Sequence, residues 1–219
     1  MIPKMYHLRK YLIPILILSY NITLAAIDNA MISKIQANLS QSSMATIPFE
    51  QIDKNNQSAK GQLLIQKPYY FRCNYYAPFP LLIVGGKKYL SIYDYNMETL
   101  SRLEAGENIL SILLQDNWSN NKTFKILDTQ MTQDYFVLRL LLLQNQEQSE
   151  IYFDKSTLEL EKIKIFEMGQ VSVTINFDSP IKIKQFNPEL FEIPSLQIFG
   201  KPKRLNKKDL QKLYLTYDD

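Results

Sequence analysis

Between residues 47 and 177 the chain is cut, with one interruption, into apolar runs of four to ten residues bounded by Pro, Gly, Asn, Asp or Ser. That punctuation limits the fold more than any other feature. Runs so short and so tightly joined suit antiparallel strands, whereas parallel strands need crossovers of a dozen residues or more. The period is cleanest in Gln170 to Phe177, where Val171, Val173, Ile175 and Phe177 fall on one side and Ser172, Thr174 and Asn176 on the other. A strand with one buried face reads that way. Ten strands are predicted, over 47–52, 62–66, 69–76, 81–84, 89–93, 123–127, 135–143, 150–153, 158–167 and 170–177. Gly85 and Gly86, in the string GGKK, are assigned to a hairpin turn, where glycine supplies positive φ.

Two segments read as helices instead. Asp28 or Asn29 caps one in which Met31, Ile32, Ile35 and Leu39 recur at helical spacing. The interruption, 96–116, has helical propensity and gathers Ile109, Leu110, Ile112, Leu113 and Leu114, which predicts one or two short helices. The class that follows is mainly β, an antiparallel curved sheet or open barrel of about ten strands. Where the two helical segments lie across its concave side, they form a lid.

At the N-terminus, Lys4, Arg9 and Lys10 precede an apolar run from Tyr11 to Leu18, and Thr23, Ala25 and Ala26 follow. This is the order of a secretory signal peptide, expected over residues 1–25; the apolar run falls short of the roughly twenty residues that a bilayer span requires. Residues 26–219 are expected to form one exported domain, ending in a basic tail from about 200 to 219 that reads as solvated surface. Taking the leader's three cationic residues from the 25 basic ones leaves 22, equal to the 22 acidic residues. A basic groove for nucleic acid is not supported. Cys73 is the only cysteine, so no intramolecular disulfide forms, and no cysteine follows the leader to carry a lipid. A soluble monomer is expected.

His7, the one histidine, lies in the leader. Without another, Ser-His-Asp and Cys-His arrangements cannot be built, and the commonest metal ligand is missing. A carboxylate pair, for example among Glu50, Asp53, Asp94 and Glu98, is the remaining catalytic option, but nothing in the spacing selects one pair from the 22 acidic residues. No phosphate-binding glycine string occurs. The expectation is therefore a binding protein and not an enzyme, with no catalytic residue, metal or cofactor.

Residues 67–94, KPYYFRCNYYAPFPLLIVGGKKYLSIYD, place eight aromatic side chains in 28 positions. Strand alternation puts Leu63, Ile65, Lys67, Phe71, Cys73 and Tyr75 on one face, and Leu64, Gln66, Tyr70, Arg72 and Asn74 on the other. The first face, joined by Ile83, Leu90 and Ile92, is the candidate cavity wall. Cys73 reads there as a small apolar side chain. Lys67 is either a snorkelling side chain at the sheet rim or a polar latch that reaches lid carbonyls.

The order of features carries a resemblance. A helix, then Phe49-Glu50-Gln51, Gly61-Gln62-Leu63, Lys67 to Tyr75, Pro78, Pro80 to Asp94 and an apolar helix is similar to the LolA/LolB-like family of lipoprotein carriers, most closely between 47 and 114. Family members read F-x-Q, G-x-hydrophobic, R-P-x-x-F-R/N-aromatic, a V-x-D-G-K turn and a tyrosine-aspartate pair. Here Lys67 stands where arginine is common, and Val84-Gly85-Gly86 puts glycine at the aspartate of the turn.

The resemblance implies a single antiparallel unclosed half-barrel, mainly β with a helical lid, in which short α-helices enclose an apolar cavity. It implies a periplasmic chaperone whose cavity shields the acyl chains of lipoproteins on their way to the outer membrane. It would load from an inner-membrane ABC-type lipoprotein exporter and unload at an outer-membrane acceptor or the membrane itself. The family's arginine is taken to hydrogen-bond the lid and make closure reversible; Lys67, without the planar fork, implies a weaker latch. Leu110, Leu113 and Leu114, with Ile32 and Ile35, are the candidates for a plug that competes with acyl chains for the cavity. Two other readings stand beside this one. One is an enzyme that uses carboxylates on lipid or peptidoglycan. The other is an exported structural or interaction module, or a lipid-binding protein without lipoprotein transfer.

Overall fold

The structure, a computed structural model, describes residues 27–41, 43–105, 108–115, 117–118 and 122–216. The predicted signal peptide lies outside them. Thirteen strands make one antiparallel sheet: β1 (Met44–Asp53), β2 (Ser58–Gln66), β3 (Tyr70–Tyr75), β4 (Leu81–Gly85), β5 (Tyr89–Asp94), β6 (Thr99–Glu104), β7 (Phe124–Met131), β8 (Tyr135–Leu142), β9 (Gln148–Asp154), β10 (Leu160–Glu167), β11 (Gln170–Phe177), β12 (Ile181–Phe186) and β13 (Tyr214–Thr216). Eleven run in the order β6-β5-β4-β3-β2-β1-β11-β10-β9-β8-β7, and β12 branches from β1 to carry β13. The branch lies within β1, whose Phe49 to Asp53 pair with β11 while Ala45 and Thr46 pair with β12. Among the described residues no ladder joins β6 to β7. The sheet is mainly β, antiparallel and unclosed.

Each of the ten predicted strands is present, and three more were not foreseen: β6, β12 and β13. β6 overturns the helix expected from residue 96. Asp94 Oδ1 accepts from the amides of Asn96 and Met97 at 2.7 and 3.0 Å, turning the chain back so that Leu100 meets Tyr93 and Leu103 meets Leu90. A waiting strand edge outweighs local helix propensity. Among the described residues of 96–116, only Ile109–Leu114, helix α2, keeps the predicted conformation. It follows α1 (Asn29–Gln41), where Asp28 Oδ1 accepts from the Met31 amide at 2.9 Å and so forms the predicted cap.

Register turns alternation into two walls. On the concave side, Ile47, Leu63, Cys73, Ile83 and Ile92 stand directly abreast across β1 to β5, and Ile65, Phe71, Gly85 and Leu90 form the adjoining row. On the convex side the rows are Leu64, Arg72, Val84 and Gln62, Asn74, Leu82, Tyr93. Helices α1 and α2 cover the concave wall through Ile32, Ile35, Ile109, Ile112, Leu113 and Leu114, all buried in one cluster with the strand residues. The convex wall is covered by a 3-10 turn (Pro188–Phe191), α3 (Leu196–Phe199) and α4 (Lys207–Gln211).

Two expectations are corrected here. The basic tail is not merely solvated surface: Leu210 is fully buried and Tyr214 nearly so, packed with Phe186 and Phe191. Lysines mask that pattern, because their alternation with Leu205, Leu210 and Leu213 fits no long amphipathic period. Gly85 and Gly86, for their part, do not adopt positive φ. Gly85 is required by close approach instead, since a Cβ there would lie 1.9 Å from Phe71 Cε1. The Phe71 ring lies over its cross-strand glycine, as the Phe49 ring lies over Gly61.

Candidate functional site

Between the concave wall and the first turn of α2 lies a cavity of about 220 Å³. Seven of the eight side chains predicted for its wall are there: Leu63, Phe71, Cys73, Tyr75, Ile83, Leu90 and Ile92. Ile65 shares their face but opens onto a second cavity. Sequence reasoning missed the opposite wall, made by Phe49 and Gln51 of β1, Ile165 of β10 and Val173, Ile175 and Phe177 of β11. Their alternation was visible; their pairing with β1 was not.

Rings close one end. Tyr75 packs edge-on against Phe49 with centroids 5.0 Å apart, and Phe79 lies 4.6 Å beyond it. The Tyr75 hydroxyl donates to Gln51 Oε1 at 2.7 Å, which satisfies the one phenol facing this space. Burial raises the Tyr75 phenol and pushes the Cys73 thiol up to about 12, so both stay protonated at neutral pH. Among the described residues no charged side chain lines the cavity. Such a surface offers dispersion contacts and release of water to a hydrocarbon guest, and no nucleophile.

The cover is held at both ends. Asn108 Oδ1 accepts from the Ser111 amide at 2.9 Å, capping α2, and Trp118 Nε1 donates to Ile112 O at 2.9 Å. Ile109, Ile112, Leu113 and Leu114 are buried. Leu110, a predicted plug residue, reaches the main cavity together with Ile109. Leu113 and Leu114 instead line the second cavity, about 140 Å³, with Ile65, Lys67, Glu159 and Lys182. Ile32 and Ile35 of α1 lie in the surrounding core and not on the wall of either cavity. Helix α1 is tied down by Asp28, whose amide donates to Thr129 Oγ1 at 2.9 Å, and by Asn38 Nδ2, which donates to Leu158 O at 3.0 Å.

The four carboxylates considered for catalysis serve the scaffold. Glu50 pairs with Lys60 at 3.8 Å and Glu98 with Lys201 at 2.6 Å. Asp53 Oδ1 accepts from the amides of Asn55 and Gln57, and Asp94 holds the turn before β6. Among the described residues no three His, Cys, Asp or Glu side chains gather where they could hold a metal ion.

Comparison with known proteins gives three kinds of match. A family model described as outer membrane lipoprotein carrier protein LolA matches residues 40–194. The uncharacterized protein RP864 of Rickettsia prowazekii (strain Madrid E) is 40% identical over 189 residues, covering 86% of this chain and 88% of that one. A conserved protein of Thermus thermophilus superposes with a TM-score of 0.48 at 11% identity, covering 75% of this chain and 95% of its own. The LolA superfamily protein NE2245 of Nitrosomonas europaea gives a TM-score of 0.40 at 11% identity, over 73% of this chain and 97% of its own.

Proposed function

The chain belongs to the LolA family of outer membrane lipoprotein carrier proteins, and from that premise we propose that it is a periplasmic chaperone. It takes up the acyl chains of lipoproteins released from the inner membrane and carries them to the outer membrane. The cavity is the observation behind this reading: sixteen of the described residues, from seven strands and the lid, line it, and none of these is charged. Each methylene moved from water into such a space contributes roughly 0.8 kcal/mol, so about ten of them retain a cargo without a covalent bond.

Size sets the mechanism. Ligand cavities run to roughly 300–1,000 Å³, and this one has about 220 Å³. A lipid anchor enters only as α2 gives way, with Ile109 and Leu110 leaving the space that acyl chains then occupy. Lid and guest compete for the same wall, and that competition weakens net binding enough for hand-off to a tighter acceptor. Lys67 lines the second cavity with Leu113 and Leu114, and in this reading it is the latch. The exporter at loading and the receptor or membrane at unloading are the partners this cycle requires.

The chain from residue 27 onward, incubated with inner-membrane vesicles bearing a labelled triacylated lipoprotein, is expected to bring that lipoprotein into the supernatant as a stoichiometric complex. Ile92→Glu, which puts a charge on the half-buried cavity wall, is expected to abolish capture. Uptake of a fluorescent fatty acid with no lipoprotein capture would replace this reading with general lipid binding, and failure of both would remove the cavity's role.

A further inference from the structure

A second surface lies on the opposite face of the sheet. Ile193 and Leu196 pack with Leu82, Val84 and Tyr93, which anchors α3 on the convex side. The same single turn leaves Ile198 and Phe199 74% and 71% exposed. Gly200, at φ 71°, ends the helix there. Lys201 Nζ lies 2.6 Å from Glu98 Oε1, which brings the turn before β6 alongside, and with it Met97, 75% exposed. Three bulky apolar side chains are thus exposed on two segments that this ion pair ties together.

Their surroundings are basic. Residues 195–212 hold six lysines and arginines against one aspartate. The part of the chain from 27 to 194 has the reverse balance, sixteen basic and nineteen acidic residues. Lys201, Lys203 and Lys212 do pair with Glu98 or Asp209, but their side chains are 64–76% exposed, and pairs so wet are weak enough to exchange for other anions. Lys207 and Lys208 sit exposed on the first turn of α4.

A projecting ring and two flexible apolar chains beside long lysines match the boundary between lipid headgroups and acyl chains. We infer that the α3–α4 surface docks the protein on an anionic phospholipid membrane, with Ile198, Phe199 and Met97 entering the headgroup layer and the lysines meeting lipid phosphates. The charge asymmetry orients the chain, turning the basic face to the membrane and the rest away from it. This docking does not depend on the cavity.

The test mixes the chain from residue 27 onward, which holds every described element, with vesicles of phosphatidylglycerol and phosphatidylethanolamine or of phosphatidylcholine alone, followed by sedimentation. Binding to the anionic vesicles is expected to be about tenfold tighter or more, and to fall by at least that factor in about 0.5 M salt. Ile198→Ser with Phe199→Ser, and separately Lys207→Gln with Lys208→Gln, are each expected to weaken it about tenfold. All four side chains are exposed, so the urea midpoint should not move. Ile92→Glu should bind the vesicles as the parent does, which separates docking from lipoprotein capture. Absence of binding to anionic vesicles, equal binding to both kinds, or indifference to either double substitution overturns the proposal; a protein partner at this surface would give the first of these.

Discussion

Gly85 offers a direct test of how the cavity wall is built. A Cβ at this position would sit 1.9 Å from Phe71 Cε1 and 2.3 Å from Cδ1, whereas carbon atoms rest at roughly 3.5–4.0 Å. In Gly85→Ala the ring must therefore withdraw by roughly 2 Å, and Phe71 is only 1% exposed, held in register opposite Gly85 by the β3–β4 ladder. Overpacking of this kind costs about 1–3 kcal/mol. We expect about 2 kcal/mol, which moves a urea midpoint by roughly 1 M. Phe71→Ala alone removes a buried ring and should cost about 3 kcal/mol or more. In that background the clash has no partner, so adding Gly85→Ala should cost close to nothing. The double-mutant cycle then shows a coupling of about 2 kcal/mol. Additive losses would mean that the glycine is required for some reason other than the ring, and the close-approach argument would fail. The same variant carries a functional readout. A displaced ring has only the cavity to move into, so uptake of a fluorescent fatty acid should weaken along with stability.

Three further outcomes follow from other contacts. Cys73 should resist a thiol reagent in the native protein and react on unfolding, because burial pushes its pKa to about 12; comparable rates with and without denaturant would contradict its place on the wall. Asp154 is held at about 2, chiefly by the Ser156 hydroxyl and then by the Thr157 and Ser156 amides. Its folded pKa lies below the ordinary 3.8, so its contribution is present above that value and is lost as the pH falls toward 2. Urea midpoints should drop over this window, and Asp154→Ala should flatten the drop. Ile112→Ala, at a lid position 1% exposed, should destabilise by about 3 kcal/mol and speed probe entry; unchanged entry would mean that α2 does not gate the cavity.

The near wall of the cavity was legible because β2 to β5 are neighbours both in sequence and in the sheet. Alternation through Leu63, Phe71, Cys73 and Tyr75 then needs only short turns to align it. The far wall was not. Val173, Ile175 and Phe177 face the cavity because Phe49 pairs with Phe177, and no local signal joins the two ends of a meander. The lid was legible in kind but not in aim. Leu110 lies three residues from Leu113, yet the tilt of a six-residue helix sends them to different cavities. β6 was misread because Met97 to Leu103 carry good helix formers, and only the free edge of β5 decides against them. The folded tail went unseen for a similar reason: Leu210 and Tyr214 pack through contacts with Phe186 and Phe191, well upstream in sequence.

That β6 and β7 remain apart also determines how the wall responds to load. A closed cylinder can widen only by tearing a row of backbone hydrogen bonds. An open one flexes like a clip, its two margins spreading while every ladder between them stays intact, so the resistance a guest meets comes from the lid and the bending of the sheet.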